Sequence, residues 1–183
     1  LHPIFTEKDI VFKEELLGNW NFEKNKVRIT SLAKEKNIEL PGKIAAIKDK
    51  GYLIDNGDAA DGRYLAFLAR IGNHLYFDYY PLLSEVQEKA DEFFMGHLIR
   101  RHSVYRVTIK SKDSFELNQL DGEFLENLIK QNKVRIRHEK DSDGNIIITA
   151  PTEELQQYII KYGDEPGAYQ SDSQVYTKAN INL

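Results

Sequence analysis

The sequence predicts a mainly β fold, an antiparallel meander curled into a barrel or half-barrel, with inserted helices and a C-terminal helix packed on it. Three observations predict this. Short runs alternating with a period of two recur from Trp20 to Thr149, the pattern of strands whose side chains point to opposite faces. Gly72-Asn73 joins two such runs, and a glycine-first two-residue link suits a type II′ hairpin. Helical patterns fall between hairpins and not after every strand, which points away from a parallel sheet. Curling a sheet of about eight strands would remove its edges.

The elements follow in order. Glu14-Glu15-Leu16-Leu17 reads as a short helical turn that delivers two leucines to the core before Gly18. Trp20 and Phe22 alternate with polar neighbours as the first strand, and Val27-Arg28-Ile29 continues it after a Lys24-Asn25-Lys26 turn. Tyr52-Leu53-Ile54, Arg63 to Ile71 and Leu75 to Tyr80 are strands, the last stopped by Pro81. Ser84 and Gln87 form a capping box for a helix carrying Val86, Ala90, Phe93 and Phe94 and ending at Gly96. His102 to Ile109 and Phe115-Glu116-Leu117 are strands, and Asp121 caps a helix with Phe124, Leu125, Leu128 and Ile129 on one face. A last hairpin runs from Val134 to His138 and from Ile146 to Thr149. Thr152 caps a final helix whose Leu155, Tyr158, Ile159 and Tyr162 share a face, with Gly163 as its C′ residue.

The chain of 183 residues favours one domain. Its expected divisions are an N-terminal tether over 1–8, a single β-rich domain over 9–163 and an irregular tail over 164–183. With 41% hydrophobic and 30% charged residues it is too apolar for disorder. A net charge of -4 argues against a dedicated nucleic-acid surface, which needs a basic field. The absence of cysteine removes disulfides, thiolate metal sites and cysteine nucleophiles. No apolar stretch reaches the roughly 20 residues that span a bilayer.

Leu17-Gly18-Asn19-Trp20, following a helical turn and opening the first strand, resembles the Gly-x-Trp opening of the lipocalins and related calycin barrels. The resemblance implies that Trp20 closes one end of the barrel and a cavity opens at the other. The Thr-Asp-x-x-Tyr motif of that family is missing, and two helices stand where short loops would be. The whole chain also resembles a group of bacterial envelope proteins made with lipoprotein signal peptides. The matching residues are Phe12 with Leu16 to Trp20, Leu75-Tyr76-Phe77-Asp78 with Pro81, His97 with His102, and Thr149 to Gln156. That resemblance implies export to the envelope, periplasmic or outer-surface, by a removed lipoprotein signal. The only membrane attachment would be a lipidated cysteine just upstream of Leu1. It brings no known activity.

Candidate site residues are few. Trp20 is read as a cavity floor or as a core tryptophan. The chain holds ten tyrosines, with Tyr64, Tyr76, Tyr79 and Tyr80 in the central hairpin. Tyr76 and Tyr80 share one strand face and Phe77 and Tyr79 the other, and Tyr76 and Tyr80 are the candidates to line a pocket for a small amphipathic ligand. Strand propensity explains the same tyrosines. His97 and His102, with His138 or Asp78 as a third group, are a candidate metal set. They stand about 140° apart if on one helix, and no zinc-type spacing is present. No nucleophile motif or phosphate-binding loop appears, so no catalytic residue and no cofactor is selected. The expected role is a non-catalytic binding domain, with an interaction module meeting an envelope protein as the alternative and a hydrolase or isomerase more distant.

Overall fold

The computed structural model describes residues 1–36, 38, 40, 42–57, 62–82 and 101–179. Its strands in chain order are β1 (Gly18–Phe22), β2 (Asn25–Ser31), β3 (Gly51–Asp55), β4 (Arg63–Ile71), β5 (His74–Leu82), β6 (Ser103–Ser111), β7 (Ser114–Gln119), β8 (His138–Lys140), β9 (Ile146–Ile148) and β10 (Gln174–Lys178). The helices are α1 (Gly42–Ala45), α2 (Gly122–Lys130) and α3 (Thr152–Tyr162). β1 to β7 pair each with the next, all antiparallel, and β10 pairs with both β7 and β1 to close the barrel. The mainly β barrel with a C-terminal helix packed against it is therefore the fold.

Local chemistry accounts for the best-marked elements. Ile71 pairs with His74 across Gly72-Asn73, and Gly72 takes φ 58° while Asn73 stays out of the left-handed region. That is the φ pattern of a type II′ turn, whose twist matches the strands it joins. The β1–β2 link is tighter than the sequence suggests. Phe22 pairs with Asn25, and Glu23 turns the chain at φ 52°. Asp121 accepts the Glu123 and Phe124 backbone N–H groups, the N-cap expected for α2. Thr152 is the first helical residue of α3 and not its cap; Pro151 holds the cap position. The Thr152 hydroxyl instead donates to the Pro3 carbonyl at 2.8 Å.

Three expectations change. The tail from 164 is not irregular throughout, because β10 lies within it and closes the barrel. The 138–148 hairpin stands outside the barrel as a separate two-stranded sheet. Residues 1–8 are no free tether. Ile4 is 2% exposed, its N–H donates to Asp78, and it packs in the cluster under α3, because an apolar side chain this close to an apolar wall gains by burial. The helix expected from Ser84 to Gly96 lies outside the described residues. Among the described residues, no helix is long and apolar enough to cross a membrane.

The barrel is packed on both faces. Inside, Trp20, Ile29, Tyr52, Ile54, Leu68, Phe77, Phe115 and Leu117 form one buried cluster. Outside, α3 and the N-terminal segment cover Ala69, Ile71 and Tyr76, and a third cluster of Ile10, Leu32, Leu53, Leu65 and Phe67 continues the cover.

One end is plugged. The turn Glu14–Leu16 crosses beneath the strands, with Leu16 buried. The Trp20 indole N–H donates to the Leu16 carbonyl at 2.9 Å, and Trp20 meets Phe115 edge to face at 4.7 Å. Lys178 of β10 donates to the Leu17 carbonyl at 2.8 Å and sits 4.0 Å from the centre of the Trp20 ring. Gly18 makes this possible: it holds φ 130°, and a Cβ there would lie 3.0 Å from the Lys178 Nζ. Gly18→Ala should cost about 1–3 kcal/mol through that backbone conformation, read as a lower urea midpoint. An unchanged midpoint would show that the strand relaxes there without loss.

Candidate functional site

Among the described residues, no element covers the opposite end of the barrel. It lies where β1, β3, β5 and β7 end and β2, β4, β6 and β10 begin, away from the Trp20 plug. Inward-facing positions at these strand ends carry Phe22, Val27, Tyr64, Tyr79, Tyr105 and Tyr176, and the rim adds Asn25, Asn56, Ser103 and Gln174. Together they enclose a cavity of about 280 Å³. Small-molecule sites span roughly 300–1,000 Å³, so this one is at the small end.

The tyrosines pack in two aromatic groups. Tyr79 meets Tyr64 at 6.1 Å and Tyr105 at 5.0 Å, both edge to face. Tyr176 stacks between Phe22 at 5.0 Å and Phe115 at 4.6 Å, and Phe115 continues down to Trp20. An aromatic column thus runs from the mouth to the plug, and it fills the lower barrel so that the cavity stays shallow.

No Lys, Arg, Asp or Glu is among the mouth's described lining residues. Burial raises the Tyr79, Tyr105 and Tyr176 phenols above the ordinary tyrosine value, and neighbouring tyrosines add to the shift. Each remains protonated at neutral pH and can donate. The Tyr176 hydroxyl donates to Gln174 Oε1 at 3.2 Å. The Tyr79 and Tyr105 side chains line the cavity, and neither hydroxyl is among the fully buried, unpartnered polar atoms of the described residues, so each can meet water or an occupant there.

The candidates read from sequence are distributed differently. Trp20 lies inside the barrel, but at its closed end and away from the open cavity. Tyr76 and Tyr80 point outward, on the face that carries Asp78. Tyr76 packs beneath α3 with its hydroxyl 3.2 Å from that of Tyr169, and the Tyr80 ring tilts against His102 at 5.1 Å. The partners of Tyr79 in the hairpin register show why: Tyr64, Ala66, Leu68, Leu75 and Phe77 share its face, a set free of charge. The opposite face carries Asp78, His74 and Arg106. On β5 the charged Asp78 falls on the outer face, where it accepts the Ile4 N–H, and that residue was the signal available in the sequence.

Of the metal candidates, His97 lies outside the described residues. His102 Nδ1 is 2.5 Å from Oδ1 of the buried Asp78. His138 is bonded elsewhere, through Nδ1 to the Ile136 carbonyl. Among the described residues no group of three His, Asp or Glu side chains is placed to hold a metal. Tyr105 and Tyr176 were not singled out from sequence, since each lies in a strand with few other aromatics.

The chain matches no protein-family model, no curated protein and no solved structure.

The buried phenols give the barrel a characteristic alkaline behaviour. Tyr52, Tyr76, Tyr79, Tyr105, Tyr158 and Tyr176 all have raised values, burial being the largest cause in each. Unfolded, each would ionise near pH 10. Above that pH the unfolded chain therefore binds fewer protons than the folded one, and stability falls as pH rises. Their contribution is complete below pH 10 and is lost above it, at up to about 1.4 kcal/mol per unit for each phenol. Tyrosinate absorbance should show an early partial step from the other tyrosines, then a cooperative step coincident with unfolding by circular dichroism. A single smooth titration near pH 10 with the fold intact would contradict the buried cage.

Proposed function

We propose that this protein is a non-catalytic, lipocalin-like binding domain whose barrel mouth holds a small uncharged molecule with a ring face and hydrogen-bonding groups. The observation that carries the reading is the convergence of Tyr64, Tyr79, Tyr105 and Tyr176 on one uncharged cavity. Aromatic faces favour a flat or ring-shaped partner, and phenolic donors favour oxygen or nitrogen acceptors. The filled lower barrel argues for a compact occupant over a long acyl chain.

The Gly18-Asn19-Trp20 opening supports the lipocalin-like part. Trp20 sits at one end of a closed barrel and the cavity lies at the other. An envelope setting, with lipid attachment upstream, rests on the sequence resemblance to envelope lipoproteins.

The test is a residue-resolved NMR titration with uncharged ring fragments (phenol, benzamide and methyl glucoside), with native mass spectrometry of protein from its source cells to reveal a carried molecule. At least one fragment should move the Tyr79 and Tyr105 signals, and Tyr105→Phe should weaken it about five-fold, the value of one hydrogen bond near 1 kcal/mol. No shift at the mouth at tens of millimolar, or shifts only at other surfaces, would count against the reading.

A further inference from the structure

A second, partly open cavity lies outside the barrel. Its volume is about 260 Å³. The outer face of β6 and β7 forms one wall, at Val104 and Leu120, and α2, α3 and β9 supply the others with Leu125, Leu155 and Ile148. Ser103 borders both this space and the mouth, but the two open on opposite faces of the sheet.

Tyr158 lines the pocket and is 6% exposed. Its hydroxyl is buried and has no hydrogen-bond partner among the described residues. Burial holds its phenol above the ordinary value, so it stays a donor. Folding here leaves an O–H desolvated and unanswered, a cost of about 1–3 kcal/mol, in a space with room for the group that would answer it.

His102, on the same pocket wall, is held through Nδ1 by Asp78, which also accepts the Ile4 N–H, and Asp121 caps α2. Arg101 lines the pocket as well. Much of the wall is aliphatic, at Leu120, Leu125, Ile148 and Leu155, which suits an alkyl chain and makes burial of a charge against it costly.

We propose that this pocket is a second binding site, for a small uncharged alkyl molecule carrying one hydrogen-bonding oxygen that Tyr158 receives. It is independent of the barrel mouth and stands or falls apart from it.

The probes are 1-hexanol and hexanoate, titrated by NMR into the full chain. Hexanol should shift the Ile148 and Leu125 methyl signals and the Tyr158 ring, leave Tyr79 and Tyr105 in place, and bind several-fold tighter than hexanoate. Tyr158→Phe should keep or raise the unfolding midpoint, because it removes an unpaired buried hydroxyl, while weakening hexanol about five-fold. Leu125→Trp, which fills the space, should abolish the shifts with the circular dichroism spectrum retained. Four results would overturn the proposal: shifts confined to the mouth or absent, hexanoate binding as tightly as hexanol, an unchanged hexanol affinity in Tyr158→Phe, or a midpoint lowered by that variant, since the hydroxyl would then be structural.

Discussion

The structure depends on the seat of Trp20. Its indole N–H is satisfied by Leu16, its face by Lys178 and its edge by Phe115. These contacts join three distant parts of the chain: the turn before β1, the last strand of the meander and the returning C-terminal strand. Lys178 reaches the ring because β10 pairs with β1 so that Trp20 stands opposite it. Closure of the barrel and occupation of its floor are thus one event. A buried indole N–H needs an acceptor, and the carbonyl of a turn crossing the barrel end is the one in reach.

Everything above that floor follows from filling. Leu68, Phe77, Leu117 and Phe115 occupy the lower interior, as side chains must in a barrel of eight strands. Toward the mouth, rings with polar tips replace aliphatic side chains. The outer face has its own cover in α3 and the N-terminal segment. A sheet packed on both sides produces two kinds of space, one within the cylinder and one between the cylinder and its cover, and the molecule has both. Their chemistries differ: phenols and amides line the mouth, and aliphatic side chains with one unpaired hydroxyl line the outer pocket.

Much of the fold could be read from the residues because its signals are local. The Gly72-Asn73 turn, the Asp121 cap and the Leu155-Tyr158-Ile159-Tyr162 stripe each act within a few residues, and each appears in the structure. β10 was not readable, since only Tyr176 among its residues is buried and Val175 points to solvent, so the strand carries a weak apolar signal. Its partners β7 and β1 are remote in sequence, and their need for closure is invisible locally. The 138–148 hairpin shows the converse, a strand-like pattern that the barrel does not use. At the site, Tyr76 and Tyr80 were preferred over Tyr79 because both faces of β5 are buried, which removes the usual contrast between apolar and polar faces.

The most direct test of this account is hydrogen exchange at the indole N–H of Trp20, the chain's single tryptophan. If the plugged end organises the barrel, that proton exchanges only through global unfolding, with a free energy equal to the one from denaturant titration. Exchange well below the global value would show that the end opens on its own, and that barrel closure does not depend on the Trp20 seat.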